Sequence, residues 1–196
     1  MYPRRVSETI AKVLQQIDRV HDEDPVRTGD GRARERVYAE RMSAWLARLV
    51  EAPSDALRIA VRAQHLARWR SPRDAYPEGR VGYLKWRKEA GERHAADVAV
   101  IVRDETRDEA LAARVASLVT KKDRLRDPES QALEDCACLV FLELDYAPFV
   151  AKHDDDAKVI DIVRKTWAKM SARGREEALR LPLEGRGLRL VQAALA

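Results

Sequence analysis

The chain has 196 residues, enough to bury one substantial core, and its 45% apolar and 36% charged residues exclude a disordered chain. A formal charge of +4, from 37 basic and 33 acidic residues, is too small to imply a nucleic-acid partner from bulk charge. The two cysteines, Cys136 and Cys138, lie two apart in a helical run and point to opposite sides. That excludes a disulfide between them and matches no zinc or redox motif, so they read as small core residues in a reducing compartment.

In chain order, Met1 to Arg5 lead into a polar amphipathic helix rather than an apolar signal core, and no window approaches the roughly 18 apolar residues of a membrane span. The expectation is a cytoplasmic protein with no membrane partner. Ser7 is placed to cap a first helix through Ile10, Val13, Leu14, Ile17 and Val20, which stops near Asp22. Residues 22–31 read as a loop from their Gly, Pro and Asp content. A second helix is predicted from about Arg34 to Val50, burying Val37, Met42, Trp45, Leu46 and Leu49. Ser54 or Asp55 caps a third that runs to about Trp69 and forms a hairpin with the second. After an irregular connection over 71–79, helix four is predicted from about Gly82 to Arg103. A fifth starts at Thr106 or Asp108 and ends at Lys121 and Lys122. Asp127 and Pro128 are a helix start, and the run Ala132 to Leu144 is the most apolar in the chain. Asp154 to Asp156 open a helix ending near Met170. The tail, 175–196, reads as two short pieces broken at Pro182 and Gly185 to Gly187, a C-terminal helical appendage to a single domain over 1–196. With no alternating pattern of any length, the fold class is all-α.

Residues 62–87 hold Arg62, Arg68, Arg70, Arg73, Arg80, Arg87 and Lys85, with Trp69, Tyr76, Tyr83 and Trp86 among them. A helix continuing to Trp69 puts Arg58, Arg62, His65 and Trp69 on one face. Guanidiniums flanking an imidazole and an indole suit a phosphate or carboxylate ligand, because Arg offers a planar fork and aromatics stack a base or sugar. The same mixture suits single-stranded nucleic acid. A second constellation is Glu134 and Asp135 inside the apolar run, where a carboxylate needs a dedicated partner, by pairing or at a metal. Candidate partners are His65, His94, an Arg of 62–87, Lys121 and Lys122, or a divalent metal. His153 sits in an acidic surface run and reads as solvated, and the adjacent His21 and Asp22 lie at a helix end.

The stretch Arg62 to Arg87, with His65, Trp69, Arg73, Tyr76, Arg80, Tyr83 and Trp86, closely resembles a bacterial and fungal family known only as a domain of unknown function, DUF4202. The match extends to Ile17 and Asp18, Glu23 to Pro25, Tyr38 to Met42, His94 and Ala95, and Leu133 to Asp135 with the apolar run to Glu143. Some members of that family carry a glutamyl-tRNA synthetase label, but this chain contains none of the synthetase's nucleotide-binding signatures or its sheet pattern. The order of features also resembles, distantly, the HD-superfamily hydrolases. On that comparison His65 falls at the His of the His-Asp pair, His94 near a later His and Asp135 at the final Asp. Leu66 replaces the paired Asp, and Tyr38 or Glu40 stands near the first His.

That resemblance implies an HD-like orthogonal bundle of about seven to nine helices. It also implies one divalent metal (Mn, Mg or Fe) held by His65 and Asp135 with Glu40 or His94, or a site that has lost its metal and kept an Arg-lined pocket. The expected function is a hydrolase or binding protein for a small phosphorylated or nucleotide-like ligand. Arg62, Arg68, Arg73 and Arg80 would clamp phosphate and Trp69 or Tyr83 would stack the organic part. Tyr76, Trp86, Arg87 and Lys122 complete the surface, and His65, Asp135 and Glu134 are the catalytic candidates. The alternative is a non-enzymatic RNA- or tRNA-binding module using the same basic and aromatic surface.

Overall fold

The computed structural model describes residues 7–121 and 124–196. Among them the fold is all-α, with one isolated antiparallel bridge between Arg27 and Ala33. The helices are α1 (Glu8–Asp22), α2 (Arg34–Leu49), α3 (Asp55–Arg62), α4 (Gly79–Thr106), α5 (Glu109–Thr120), α6 (Pro128–Val140), α7 (Tyr146–Lys152), α8 (Asp156–Lys169), α9 (Ala172–Ala178) and α10 (Gly185–Leu195). No described helix is long and apolar enough to cross a membrane. The chain divides into two compact units whose boundary falls inside α6, after Leu133.

In the first unit α1 packs on α2, α3 and α4, α3 on α2 and α5, and α4 on α5. Its core includes Val13, Ile17, Met42, Leu57, Ile59, Val61, Leu66, Val98, Val102, Val115 and Leu118, all essentially inaccessible to solvent. Each such side chain contributes on the order of 2 kcal/mol over an exposed position. The helix starts follow the sequence signals. The hydroxyls of Ser7 and Ser54 accept the Ile10 and Leu57 amides, and the Asp108 carboxylate accepts that of Leu111. Each satisfies an orphan donor of a first turn.

In the second unit α10 packs on α7 and α8, and Tyr146, Val159 and Val163 of those two helices are buried. Asp155 caps α8 and Ser171 caps α9. A π-helical turn, Phe141–Asp145, joins α6 directly to α7. The sequence pattern does not anticipate α7, which raises the count to ten helices among the described residues. It holds Pro148, whose missing amide hydrogen interrupts the helical ladder just after the π-helical turn.

The main departure from expectation is at the end of α3. The helix stops at Arg62 rather than Trp69, so Arg58, Arg62, His65 and Trp69 do not share a helical face. Beyond it, the amides of Leu66, Arg68, Arg70 and Ser71 bond three residues back, to Ala63, His65, Ala67 and Arg68, in tight turns that include a short 3₁₀ piece at Arg68–Arg70. Nothing in the local sequence forbids helix there. Tertiary packing decides, because the turns bury Ala63, Leu66 and Ala67 together.

Candidate functional site

Each element contributes one part of a polar cluster in the first unit. The loop after α1 supplies Asp24, whose two oxygens accept the amides of Val26 and Glu35, each at 2.9 Å. This carboxylate therefore anchors the start of α2. Glu35 then sits one turn ahead of Tyr38 and Ala39 on the helix face that buries Met42, Trp45 and Leu46, so a carboxylate occupies a core position. Burial holds its pKa above the ordinary value, against the opposing pull of Arg68 and Arg34.

His65 meets Glu35 across this gap, with Nδ1 3.2 Å from Glu35 Oε2 and Nε2 2.5 Å from Arg68 Nη1. A guanidinium has no acceptor, so Nε2 must supply the lone pair and Nδ1 the hydrogen. His65 is then the neutral Nδ1–H tautomer, donating to Glu35 and accepting from Arg68. Tyr38 stacks on its ring, with centroids 4.1 Å apart and planes 15° from parallel. Burial, then the nearby Arg68, holds the imidazole pKa well below its ordinary value.

Two further histidines lie beneath. His94 donates from Nδ1 to the Leu66 carbonyl at 2.6 Å, and burial brings its pKa to about 4. His21 donates from Nε2 to the Arg62 carbonyl at 3.0 Å; its Nδ1 is buried and has no hydrogen-bond partner among the described residues. Burial lowers its pKa as well.

Arg68 is presented by a strained backbone. Ala67 adopts φ 52°, a left-handed conformation that costs a non-glycine residue about 1 kcal/mol or more and persists where its surroundings fix it. The guanidinium of Arg68 lies over the Trp86 indole, 4.9 Å from the ring centroid. Trp86 in turn donates from Nε1 to the Ser71 carbonyl at 2.8 Å, tying α4 to the connection before it. Gly82 allows that approach, since a Cβ there would meet the Pro77 carbonyl oxygen at 1.9 Å.

Arg34, Glu35, Arg68, Trp69, Arg73 and Trp86, with Asp24, Val26, Ser71 and Pro72, line an open recess of about 230 Å³. The structure thus brings Arg68, Trp69, Arg73 and Trp86 together as the sequence proposed, and adds Arg34 and Glu35. The other named residues have different surroundings. Arg62 is turned to Asp18 at 2.6 Å and Ser43 at 3.3 Å. Arg73 also closes its own loop, donating to the carbonyls of Tyr76 and Pro77 at 3.0 Å each. The Tyr76 hydroxyl donates to Glu89 at 2.7 Å and accepts from Arg93. Arg80, Tyr83 and Arg87 are exposed on α4. Lys122 lies outside the described residues.

The donors named for a metal fit a cation poorly. The Nε2 lone pair of His65 is turned to a guanidinium, and the Glu40 carboxylate is held by Arg32 and by Arg36. His94 donates from Nδ1 to a backbone carbonyl, which leaves its Nε2 lone pair for a ligand. Asp135, in the second unit, accepts the Ser171 amide at 2.8 Å and the Ser171 hydroxyl at 2.5 Å, and so positions the residue that caps α9. Its neighbour Glu134 is buried. Among the described residues no group of three or more His, Cys, Asp or Glu side chains is arranged to hold a metal ion.

Sequence reasoning missed Glu35, Arg34 and the stacking role of Tyr38. The available signal was Glu35 itself, a carboxylate in register with the apolar stripe of α2. No curated protein and no solved structure matches the chain. A protein-family model described as "Domain of unknown function (DUF4202)" matches residues 11–191, and the chain belongs to that family.

Proposed function

We propose that this protein binds a small phosphorylated anion in the recess of the first unit. The observation that carries the reading is that three arginines, Arg34, Arg68 and Arg73, and two tryptophans, Trp69 and Trp86, line one opening. Planar forks of N–H donors suit phosphoryl oxygens, and indole faces suit the organic part of the ligand. This is the substrate class that the HD resemblance implies.

Isothermal titration of inorganic pyrophosphate into the full chain tests it. Binding weakened about 10-fold or more by Arg68→Ala is expected, the loss typical of a hydrogen bond to a charged group. No binding at millimolar pyrophosphate and low salt, or equal binding by the variant, would end the proposal. A screen of phosphate monoesters, with and without Mn²⁺, Mg²⁺, Fe²⁺ or Co²⁺, asks whether turnover accompanies binding, with His65→Ala as the control.

A second reading, an RNA-binding face, draws on the outer side of α4, where Arg80, Tyr83, Lys85, Arg87 and Lys88 are all exposed. It predicts tRNA binding that falls steeply with salt and survives Arg68→Ala.

A further inference from the structure

We propose that His65 is a positioning residue: a neutral spacer that orients the Arg68 guanidinium toward the recess while keeping the Glu35 carboxylate from neutralising it. This rests on the reading of the recess as an anion site.

An arginine that binds an anion well meets two needs. Its plane must be fixed beforehand, since each rotamer frozen on binding weakens the complex. Its charge must also remain available. The common way to fix a guanidinium, a carboxylate on its donors, meets the first need and defeats the second, because the internal anion competes with the ligand.

In this site the two needs are met separately. One nitrogen of Arg68 is pinned by His65 Nε2 at 2.5 Å, and the plane is set by the Trp86 face at 4.9 Å. The acceptor that pins it is uncharged. The carboxylate that would otherwise pair with Arg68 is one residue removed, on the far side of the imidazole, where Glu35 Oε2 takes the Nδ1 hydrogen at 3.2 Å. Glu35 is itself anchored through its backbone amide to Asp24, and the ring is held flat against Tyr38. The contacts of the imidazole with Arg68, Glu35 and Tyr38 thus all fix its orientation, and the His94 ring lies 6.2 Å from it, centroid to centroid. The left-handed turn at Ala67 folds the chain so that Arg68 lies back over His65, three residues away.

Three substitutions and one spectroscopic measurement test the assignment. His65→Gln supplies a neutral carbonyl acceptor to Arg68 and an amide donor to Glu35, His65→Ala removes both, and His65→Glu supplies an acceptor that carries charge. Pyrophosphate affinity, measured on variants shown to be folded by thermal unfolding, is expected to stay within about 3-fold of wild type for His65→Gln and to fall about 10-fold for His65→Ala. It should fall further for His65→Glu, although a hydrogen bond to Arg68 is kept. Wild-type affinity in either His65→Ala or His65→Glu overturns the proposal. Independently of any ligand, the ¹⁵N shifts of the wild-type His65 ring at neutral pH are expected to show hydrogen on Nδ1 and a bare Nε2; hydrogen on Nε2 overturns it. Failure of wild type to bind pyrophosphate would instead remove the anion-site reading, while the ring tautomer still decides whether His65 presents its lone pair to Arg68.

Discussion

Two buried carboxylates, Glu35 in the first unit and Asp135 in the second, are 4% and 3% exposed, yet their partners give them opposite roles. Asp135 accepts the backbone amide and the hydroxyl of one residue, Ser171, which then caps α9. Glu35 faces an imidazole whose other nitrogen holds an arginine at the edge of an open recess. A carboxylate that holds a main-chain amide and a capping hydroxyl secures the fold, whereas one that acts through a titratable ring on a cation beside solvent shapes a surface. Burial alone does not distinguish them; the identity of the partner does.

The largest effect that should separate the two regions is acid destabilisation. His21, His65 and His94, all in the first unit, are held below the ordinary histidine range, chiefly by burial. The unfolded chain binds protons near pH 6.5 that folded His94 refuses until about 4, so its contribution is complete above 6.5 and is lost as pH falls toward 4. That is on the order of 3 kcal/mol from His94 alone. Glu35, raised by burial, acts in the opposite sense, favouring the fold at low pH and losing that contribution as pH rises through its folded value. Three histidines outweigh one carboxylate, so urea unfolding should show markedly lower stability at pH 4.5 than at pH 7.5. Equal stability would mean that the imidazoles are not buried and neutral.

Next in size is Asp135→Ala, which strips Ser171 of both contacts and should lower unfolding stability by about 3 kcal/mol. Gly174→Ala should cost about 1–3 kcal/mol, since its Cβ would lie 2.8 Å from the Asp135 carboxyl carbon. Pyrophosphate affinity of the folded Asp135→Ala protein should match wild type; a large loss would break the contrast between the two carboxylates.

Trp86→Phe keeps an aromatic face for Arg68 but loses the indole hydrogen bond to Ser71, and should cost about 1 kcal/mol with a few-fold loss of pyrophosphate affinity. The smallest effect is expected at Arg80, exposed on α4, where substitution by Ala should change pyrophosphate affinity less than 2-fold. A larger change would widen the site along α4 and favour the RNA-binding reading.

Much of this was legible in the chain. The starts of α1, α3, α5, α6, α8 and the loop after α1 follow from Ser7, Ser54, Asp108, Asp127, Asp155 and the Gly, Pro and Asp content of 22–31. Those signals act over three or four residues. Four members of the recess, Arg68, Trp69, Arg73 and Trp86, were also legible, because basic and aromatic residues crowd the connection between α3 and α4.

The pairing of those residues was not legible. Glu35 lies 30 positions before His65, and only packing of α2 beside the turns after α3 makes them partners. The same packing ends α3 early, against local propensity, and turns Arg62 inward to Asp18 while leaving Arg68 at the recess. Sequence by itself determined an all-α chain, several of its helix caps and the crowding of basic and aromatic residues between α3 and α4, since short-range hydrogen bonding and periodicity encode these. Tertiary structure alone decided which carboxylate meets His65 beside the recess and which holds Ser171, because desolvation and hydrogen-bond partnership depend on groups brought together across the fold.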